Sequence, residues 1–349
     1  MDINKNILIK NKFWAIILVA QFSLFYLLSK IDFAVNFFST LYEWKKHFHI
    51  LLFSKFGFSA GDIIYTAVSL FLIYAVIKLI VKRTKTTLTK VFVSINIIYC
   101  IYQCCWGMLY FQKPITDKLQ TKEITDIDLK KLAIKYLQLC KETREKVSED
   151  HNGIFVIKDI DRIPQEIITQ QNMLPSEITS KKPVENLSIK PSLYSHLMNY
   201  TGILGYYNPF TAESQYNPNL PSTQLPFTLA HEMSHQLGFA REQEASFIAY
   251  LCAKNSENWD LKYSAQLYVL KSLLRNLSTK NESFVKSILS QYSDQMKKDS
   301  ASELAFFTKH KGFLSDFFGI TNDLFLRSNQ QDGSITYSYF ITLLVRYEA

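Results

Sequence analysis

Two histidines and a glutamate have the types and the spacing of a hydrolytic metal site. His231-Glu-Met-Ser-His235 has the pattern His-Glu-x-x-His. On an α-helix, residues four apart lie one above the other, so both imidazoles can reach a single metal ion. Glu232 lies about 100° around the helix from His231, where a general base belongs beside the metal. The pattern predicts a zinc site with Glu232 as the catalytic base.

A third protein ligand is required, because a catalytic zinc ion has three protein ligands and one open position. Gly238 follows the histidines and predicts a left-handed end to their helix. The chain can then turn back and offer a carboxylate to the metal. Glu242 and Glu244 are the two candidates at this distance in the sequence.

The helix that carries the histidines is predicted to be largely buried. Apolar residues surround the motif, namely Leu229, Ala230, Met233 and Leu237. A buried imidazole needs a polar partner, and a metal ion supplies one. A solvated helix with two incidental histidines is the alternative interpretation, and the apolar neighbours argue against it.

The excess positive charge of the chain lies in its amino-terminal part. The net charge is +8, with 12 Lys/Arg against 4 Asp/Glu in residues 1–112 and 27 of each in residues 113–349. A nucleic-acid-binding protein would carry this excess on its folded domain. Apolar stretches at about 13–29, 63–81 and 91–111 instead approach or reach the length of a membrane span. The sequence predicts a membrane domain over 1–112, the lipid bilayer as a partner and no nucleic acid.

The same basic residues predict the orientation of the spans. The N-terminal tail carries a net charge of +2 and the loop 82–90 carries +4, whereas the loop between the first two spans carries only +1. Lys and Arg are enriched on the cytoplasmic side of membranes. The N-terminus is therefore predicted to be cytoplasmic, and residues 113–349 extracytoplasmic or periplasmic, in a multi-pass protein of the bacterial inner membrane. The first span lacks a following cleavage site and is predicted to be an uncleaved anchor.

Residues 113–349 are predicted to form a mostly helical α+β domain with a small sheet. Helical spacing occurs over 126–147, 242–253, 263–276, 283–296 and 306–318, and from Gly333 onwards. Alternating residues predict a strand over 153–160, whereas three prolines predict an irregular segment over 161–190. Pro209 predicts an edge strand, which we expect beside the histidine helix and available to an extended peptide.

The segment Tyr194–Phe247 carries the most distinctive sequence of the chain. It holds Thr201-Gly-Ile-Leu-Gly-Tyr-Tyr-Asn-Pro-Phe-Thr-Ala-Glu-Ser and then the motif His231–Phe247. With the three spans, Trp106-Gly107 and the closing Gly333…Tyr337…Leu343-Leu344, this sequence resembles domain-of-unknown-function family 3810, a family of bacterial multi-pass membrane proteins. The resemblance covers nearly the whole chain and implies a zincin-like site without naming a substrate.

A more distant resemblance bears on the third ligand. Several gluzincin-type families carry Glu-x-x-Ala-[Asp/Asn] on the helix after HExxH, and the first glutamate of that pattern binds zinc. Glu242-Gln-Glu-Ala-Ser246 is similar, with Ser246 in place of the residue that supports a ligand. The metzincin layout would instead place the third ligand at Arg241, which cannot bind zinc. The resemblance implies Glu242 as the ligand, Glu244 as the alternative and Ser246 as a supporting residue.

These observations predict a membrane-anchored zinc metallopeptidase that acts on a peptide or protein. Glu232 would take a proton from the attacking water and pass it to the leaving amine. Glu213, Tyr337 and His196 are further candidates for contacts to the substrate or the developing oxyanion. The alternatives are a zinc-stabilised membrane scaffold or assembly factor without turnover, and a hydrolase of cell-wall amides. The oligomeric state and a disulfide between the cysteines at 140 and 252 are left open by the sequence.

Overall fold

The computed structural model describes residues 3–82, 85–329 and 331–348. This part of the chain is mostly helical and contains one three-stranded sheet, so the predicted α+β class is confirmed. The chain divides into two compact units. The first consists of Met1–Gln112 and Asn208–Ala212, and the second of Lys113–Tyr207 and Glu213–Ala349.

The first unit contains four helices. They are α1 (Ile3–Leu28), α2 (Asp32–Phe53), α3 (Ala60–Lys82) and α4 (Lys85–Cys105), followed by a 3₁₀ turn at Gly107–Phe111. Three of them contain segments that are long and apolar enough to cross a membrane, at Lys10–Leu28, Ala60–Val81 and Thr86–Cys105. These candidate spans agree with the three that were predicted, except that the third helix ends at Cys105 and the rest of the predicted span, to residue 111, contains a 3₁₀ turn. Few of their side chains are buried inside the protein, as expected when the bilayer is the solvent.

Helix α2 carries two lysines that are buried within the first unit. Lys45 Nζ donates to the carbonyl oxygen of Cys105 at 3.2 Å and to that of Pro209 at 2.6 Å. Lys46 Nζ pairs with a Glu43 carboxylate oxygen at 2.6 Å. A buried ammonium group needs acceptors to offset the cost of leaving water. These bonds therefore fix α2 against the end of α4 and against the segment Asn208–Ala212.

The second unit is built around a central pair of helices. Its helices are α5 (Asp126–Arg144), α6 (Arg162–Asn172), α7 (Ser195–Thr201), α8 (Leu225–Leu237), α9 (Glu242–Asn255), α10 (Trp259–Leu277), α11 (Glu282–Ser290), α12 (Asp294–His310), α13 (Phe313–Ser328) and α14 (Phe340–Glu348), with 3₁₀ turns at Ile115–Lys118 and Gly333–Tyr339. Helices α8 and α9 pack on each other, and α6 and α10 pack against both. Leu229, Phe247 and Leu270 from this cluster are fully buried. The histidine helix therefore lies in the core, as its apolar neighbours predict.

The sheet lies beside the histidine helix. Its strands are β1 (Ile189–Pro191), β2 (Gly205–Asn208) and β3 (Glu213–Tyr216), in the order β1-β3-β2. Strands β1 and β3 are parallel, with Ile189 opposite Ser214, and β3 packs against α8. Strand β2 lies at an edge of the sheet and ends immediately before Pro209. The predicted edge strand is therefore present.

The strand predicted over 153–160 is wrong. Within the described residues, this segment makes only an isolated bridge between Glu149 and Phe155. The backbone N–H of Phe155 donates to Asp299 Oδ1 at 2.8 Å, and that of Lys158 donates to Asp260 Oδ2 at 3.0 Å. Carboxylates from α12 and α10 thus satisfy the donors that a neighbouring strand would otherwise take.

Several other predicted elements have different bounds in the structure. The helix predicted over 306–318 is interrupted between His310 and Phe313, and the helix predicted from Gly333 begins as a 3₁₀ turn. Helix α6 occupies only the first part of the segment 161–190 that was predicted to be irregular. It forms there because Pro164 lies in the first helical turn, where a missing N–H is tolerated. The helix predicted over 283–296 is divided in two. Ser293 begins α12 by accepting a hydrogen bond from the Met296 backbone N–H, so local capping ends the periodicity.

Candidate metal centre

The end of α8 and the start of α9 bring three predicted ligands together. Nε2 of His231 lies 3.1 Å from Oε2 of Glu242, and Nε2 of His235 lies 3.5 Å from the same oxygen. The ligand atoms of the three residues all lie within 4.8 Å of one another. Two imidazole nitrogens and one carboxylate oxygen at this separation form a group that could hold a metal ion.

The turn between the two helices creates this arrangement. Gly238 ends α8 with φ 111° and ψ 22°, the left-handed conformation expected of a glycine at this position. The chain then reverses, and α9 begins at Glu242. The carbonyl oxygen of Phe239, inside the turn, lies 2.7 Å from Nδ1 of His235. Because a carbonyl only accepts, Nδ1 must carry a proton, so Nε2 is the nitrogen of His235 that can bind a metal.

His231 is oriented by side chains instead. Its Nδ1 lies 3.1 Å from Oγ of Ser246, and the Tyr268 hydroxyl donates to the same Oγ at 3.2 Å. The structure thus places Ser246, the predicted supporting residue, directly behind His231. Tyr268 stacks on Phe227 with ring centroids 3.9 Å apart, which fixes the far end of this chain of hydrogen bonds. No local sequence signal singles out Tyr268, because its role depends on how α10 packs on α9.

Glu244 lies outside the cluster. Its Oε1 accepts hydrogen bonds from the Ile115 backbone N–H at 2.9 Å and from Nη1 of Arg241 at 3.0 Å. The residue is buried, and its carboxylate binds the start of α9 to the segment after residue 112. Of the two glutamates that the sequence offered, the structure brings only Glu242 to the histidines.

Glu232 occupies a buried position beside the cluster. It is 5% exposed, and its Oε2 is buried without a hydrogen-bond partner among the described residues. Burial raises the pKa of its carboxyl to about 8. Ser214 Oγ donates to the Glu232 backbone oxygen at 3.0 Å, so β3 holds this turn of α8 in place. A carboxyl with a pKa near neutrality is suited to accept and release a proton.

The three clustered residues influence one another's pKa values even without a metal. Burial lowers the pKa of His231. Burial also acts to lower the pKa of His235, but the negative charge of Glu242 outweighs it and raises that pKa to about 9. Although burial opposes ionisation of Glu242, the charge of His235 and the hydrogen bond from His231 hold its pKa far below the usual range. A cation therefore compensates the carboxylate here, and a divalent metal can replace the proton on His235.

Of three other candidates, Glu213 and His196 are not brought to the cluster. Glu213 forms a buried ion pair with Lys190, whose Nζ lies 2.7 Å from Oε1, between β3 and β1. His196 is exposed on α7 and is not a member of the cluster. The side chain of Tyr337 lies outside the described part of the structure. Cys140 and Cys252 are both buried free thiols, so the possible disulfide is not formed.

Two further residues near the cluster have no counterpart among the sequence predictions. Gly205, the first residue of β2, lies against the Glu232 side chain. Gln331 accepts a hydrogen bond from the Glu242 backbone N–H at 3.2 Å through its Oε1. Gly205 lies in a glycine- and tyrosine-rich run, and Gln331 follows a helix far along the chain. Neither position has a local pattern that would reveal these contacts.

Comparison with known proteins gives a family but no activity. The family model described as a protein of unknown function (DUF3810) matches residues 37–345 and confirms the resemblance drawn from the sequence. No curated protein and no solved structure matches the chain at a significant level. The activity must therefore be argued from the side chains themselves.

Proposed function

Because the chain belongs to the DUF3810 family of proteins of unknown function, we propose an activity from its site, that of a membrane-bound zinc peptidase. The cluster of His231, His235 and Glu242, with Glu232 beside it, carries the proposal. Two histidines and a carboxylate are the ligand set of a catalytic zinc ion, which keeps an open position for water or substrate. The donors fit zinc because Phe239 and Ser246 hold the Nδ1 atoms and leave both Nε2 atoms to bind.

Glu232 is the proposed general base. Zinc, when bound, polarises a substrate carbonyl and lowers the pKa of water. Glu232 takes the proton from the attacking water and then gives it to the amine that leaves. Its Oε2 has no competing hydrogen bond among the described residues, so the carboxylate is available for both transfers. A scaffold that only needs zinc for stability has no use for this buried carboxylate, whose desolvation costs free energy.

An extended peptide is the proposed class of substrate. Strand β2 lies at an edge of the sheet, and its first residue, Gly205, lies against Glu232. Extended peptides are commonly recognised by adding a strand to the edge of a sheet. A peptide paired with β2 would pass close to the proposed base, which supports a peptide over a compact small molecule.

Metal analysis tests the ligands. We expect the purified full-length protein in detergent to bind one zinc ion per chain. Since loss of a supporting residue alone usually costs about 10–100-fold in metal affinity, Glu242→Gln should cost at least as much. Glu244→Gln is the matched control, and it should keep its affinity because Glu244 binds Ile115 and Arg241 instead. Equal zinc affinity of Glu242→Gln and wild type would overturn the ligand assignment.

Cleavage assays test the base and the class of function. We expect the zinc-loaded protein to cleave unfolded casein and Glu232→Gln to bind zinc without cleaving it. A Glu232→Gln variant that cleaves at the wild-type rate would refute the role of Glu232. A zinc-loaded wild type that cleaves neither casein nor cell-wall peptides would instead favour the scaffold, and cleavage of cell-wall peptides alone would favour an amidase.

We further propose that the second unit lies outside the cytoplasm of a bacterial inner membrane. The three candidate spans support a membrane protein, and the charges of the tail and of the loop 82–90 support a cytoplasmic N-terminus. Alkaline phosphatase fused after residue 125 should be active, and a green fluorescent protein fused there should be dark. The opposite pair of results would reverse the orientation.

A further inference from the structure

We propose that Gln331 donates a hydrogen bond to the substrate oxygen that gains negative charge during hydrolysis. This proposal rests on the proposed function, because it assigns a further catalytic residue to the same site. Hydrolysis of a peptide bond moves an electron pair onto the carbonyl oxygen, and a pre-positioned N–H donor stabilises that charge. The sequence offered Tyr337 and His196 for this task, and His196 is exposed on α7.

The orientation of the Gln331 amide is fixed by Glu242. The Glu242 backbone N–H is a donor, so the atom that it contacts at 3.2 Å must be the amide oxygen, Oε1. The two N–H groups of Gln331 are therefore on Nε2, which is bonded to the same carbon and lies beside the first turn of α9. Glu242 is the proposed metal ligand in that turn, so the backbone of a ligand residue positions the Gln331 amide.

The Nε2 atom has donors but no acceptor. Gln331 is 8% exposed, and its Nε2 is buried without a hydrogen-bond partner among the described residues. Buried amide donors in proteins are normally paired, and an unpaired one requires an explanation. An oxygen of a bound substrate would supply the missing acceptor. Helix α9 has 14 residues, and its positive end adds to the attraction for a negative oxygen at this point.

The Glu232 carboxylate supplies the proton acceptor that hydrolysis also requires. Oε2 of Glu232 is also buried without a partner among the described residues, so an acceptor and a donor lie on residues that adjoin the cluster. In the proposed step, the water oxygen bonds to the carbonyl carbon, and one water proton passes to Glu232. The carbonyl electron pair moves onto the oxygen that faces Gln331. When the C–N bond breaks, the electron pair on the oxygen re-forms the C=O bond. The amine nitrogen keeps the C–N electron pair and leaves with the proton from Glu232.

The test uses acetohydroxamate, a small ligand whose oxygens bind metal ions in place of substrate. The full-length protein in detergent is loaded with Co²⁺, and the change in its visible absorption gives the Kd of acetohydroxamate. Two variants remove the donor. Gln331→Met is neutral and has no N–H, whereas Gln331→Glu keeps an oxygen for the Glu242 backbone N–H. Gln171→Met is the matched control, because Gln171 is a buried amide that donates to the Met233 carbonyl oxygen on α8.

We expect both Gln331 variants to raise the Kd of acetohydroxamate about 10–100-fold, the range of a hydrogen bond to a charged group. Their Co²⁺ affinity, measured by chelator competition, should stay within about threefold of wild type, and Gln171→Met should match wild type in both values. An unchanged Kd for acetohydroxamate in folded, Co²⁺-loaded variants would overturn the proposal. Lower Co²⁺ affinity with an unchanged Kd would also overturn it, and would leave Gln331 as a cap for α9. A wild type that binds no Co²⁺ would instead overturn the proposed function.

Discussion

Gly205 lies so close to Glu232 that any side chain at position 205 would clash with the Glu232 side chain. A Cβ atom at Gly205 would be 2.7 Å from Cγ of Glu232 and 2.8 Å from its Oε1. It would also be 2.9 Å from the backbone oxygen of Gln215 on β3, so movement of Glu232 alone could not relieve the clash. The backbone of the edge strand β2 therefore packs directly against the side chain of the proposed base, Glu232.

Gly205→Ala should displace Glu232 and leave the metal ligands in place. We expect an overpacking cost of about 1–3 kcal/mol, seen as a lower thermal unfolding midpoint. Casein cleavage should fall at least tenfold, while zinc affinity stays near that of wild type. Gly319→Ala on α13 is the matched control, because nothing lies within 4 Å of the position that its added methyl group would take. Wild-type cleavage by Gly205→Ala would contradict the positioning of Glu232 by β2.

Ser246→Ala should weaken zinc binding through His231. Without Ser246, the Nδ1 atom loses its partner at 3.1 Å, and the ring is free to rotate away from the metal. We expect zinc affinity to fall about 10–100-fold, measured by chelator competition. Tyr268→Phe should have a smaller effect in the same direction. Ser264→Ala is the control, because this buried serine bonds the Thr223 carbonyl oxygen and should leave zinc affinity unchanged.

Asp299→Asn should destabilise the second unit. Asp299 is 1% exposed and binds Nε of Arg144 at 2.7 Å, the Tyr263 hydroxyl at 2.7 Å and the Phe155 backbone N–H at 2.8 Å. The variant removes the buried carboxylate of this ion pair and leaves Arg144 only Glu149 Oε2, 3.3 Å from its Nη1, as an ionic partner among the described residues, at a cost of about 3–5 kcal/mol. Thermal unfolding should show a midpoint lower by about 10 °C. The exposed Asp294 on the same helix is the control, and Asp294→Asn should change the midpoint by only a degree or two.

Glu348→Gln should lower stability in a pH-dependent way. Burial opposes ionisation, but hydrogen bonds from Lys135 and Lys254 lower the pKa of Glu348 to about 2. A carboxyl whose pKa is lowered by folding stabilises the fold at pH values above its pKa in the unfolded chain, about 4.5. This stabilisation is lost as the pH falls towards 2. Because the lysines are partly exposed, we expect only about 1–2 kcal/mol at pH 7. The difference in unfolding midpoint between wild type and variant should shrink below pH 4.5, and a constant difference would contradict this account.

The sequence was sufficient where the determining contacts are local. The spacing of His231 and His235 on one helical face and the left-handed conformation at Gly238 both follow from the chain within a few residues. The three membrane helices follow from length and composition alone. These elements needed no knowledge of the rest of the fold.

The parts that were wrong, missed or left with an alternative depend mainly on contacts between distant residues. The segment 153–160 is not a strand because carboxylates from residues 260 and 299 take its N–H donors. Glu242 and Glu244 are separated by the contacts of Glu244 to Ile115 and Arg241, which spacing does not encode. Gln331 reaches the centre only because the chain after α13 returns to the start of α9. Such pairings are set by packing, and a single sequence gives no local sign of them.

The two histidines differ in what holds their Nδ1 atoms. His235 is held by the backbone oxygen of Phe239, which every amino acid at that position would supply. His231 is held by the side chain of Ser246, which a single substitution can remove or replace. The hydrogen bond to His235 thus does not depend on the type of side chain at residue 239, whereas the bond to His231 depends on the side chain at residue 246. Among related chains, variation at residue 246 would therefore tune metal affinity directly, whereas variation at residue 239 would keep the acceptor for His235.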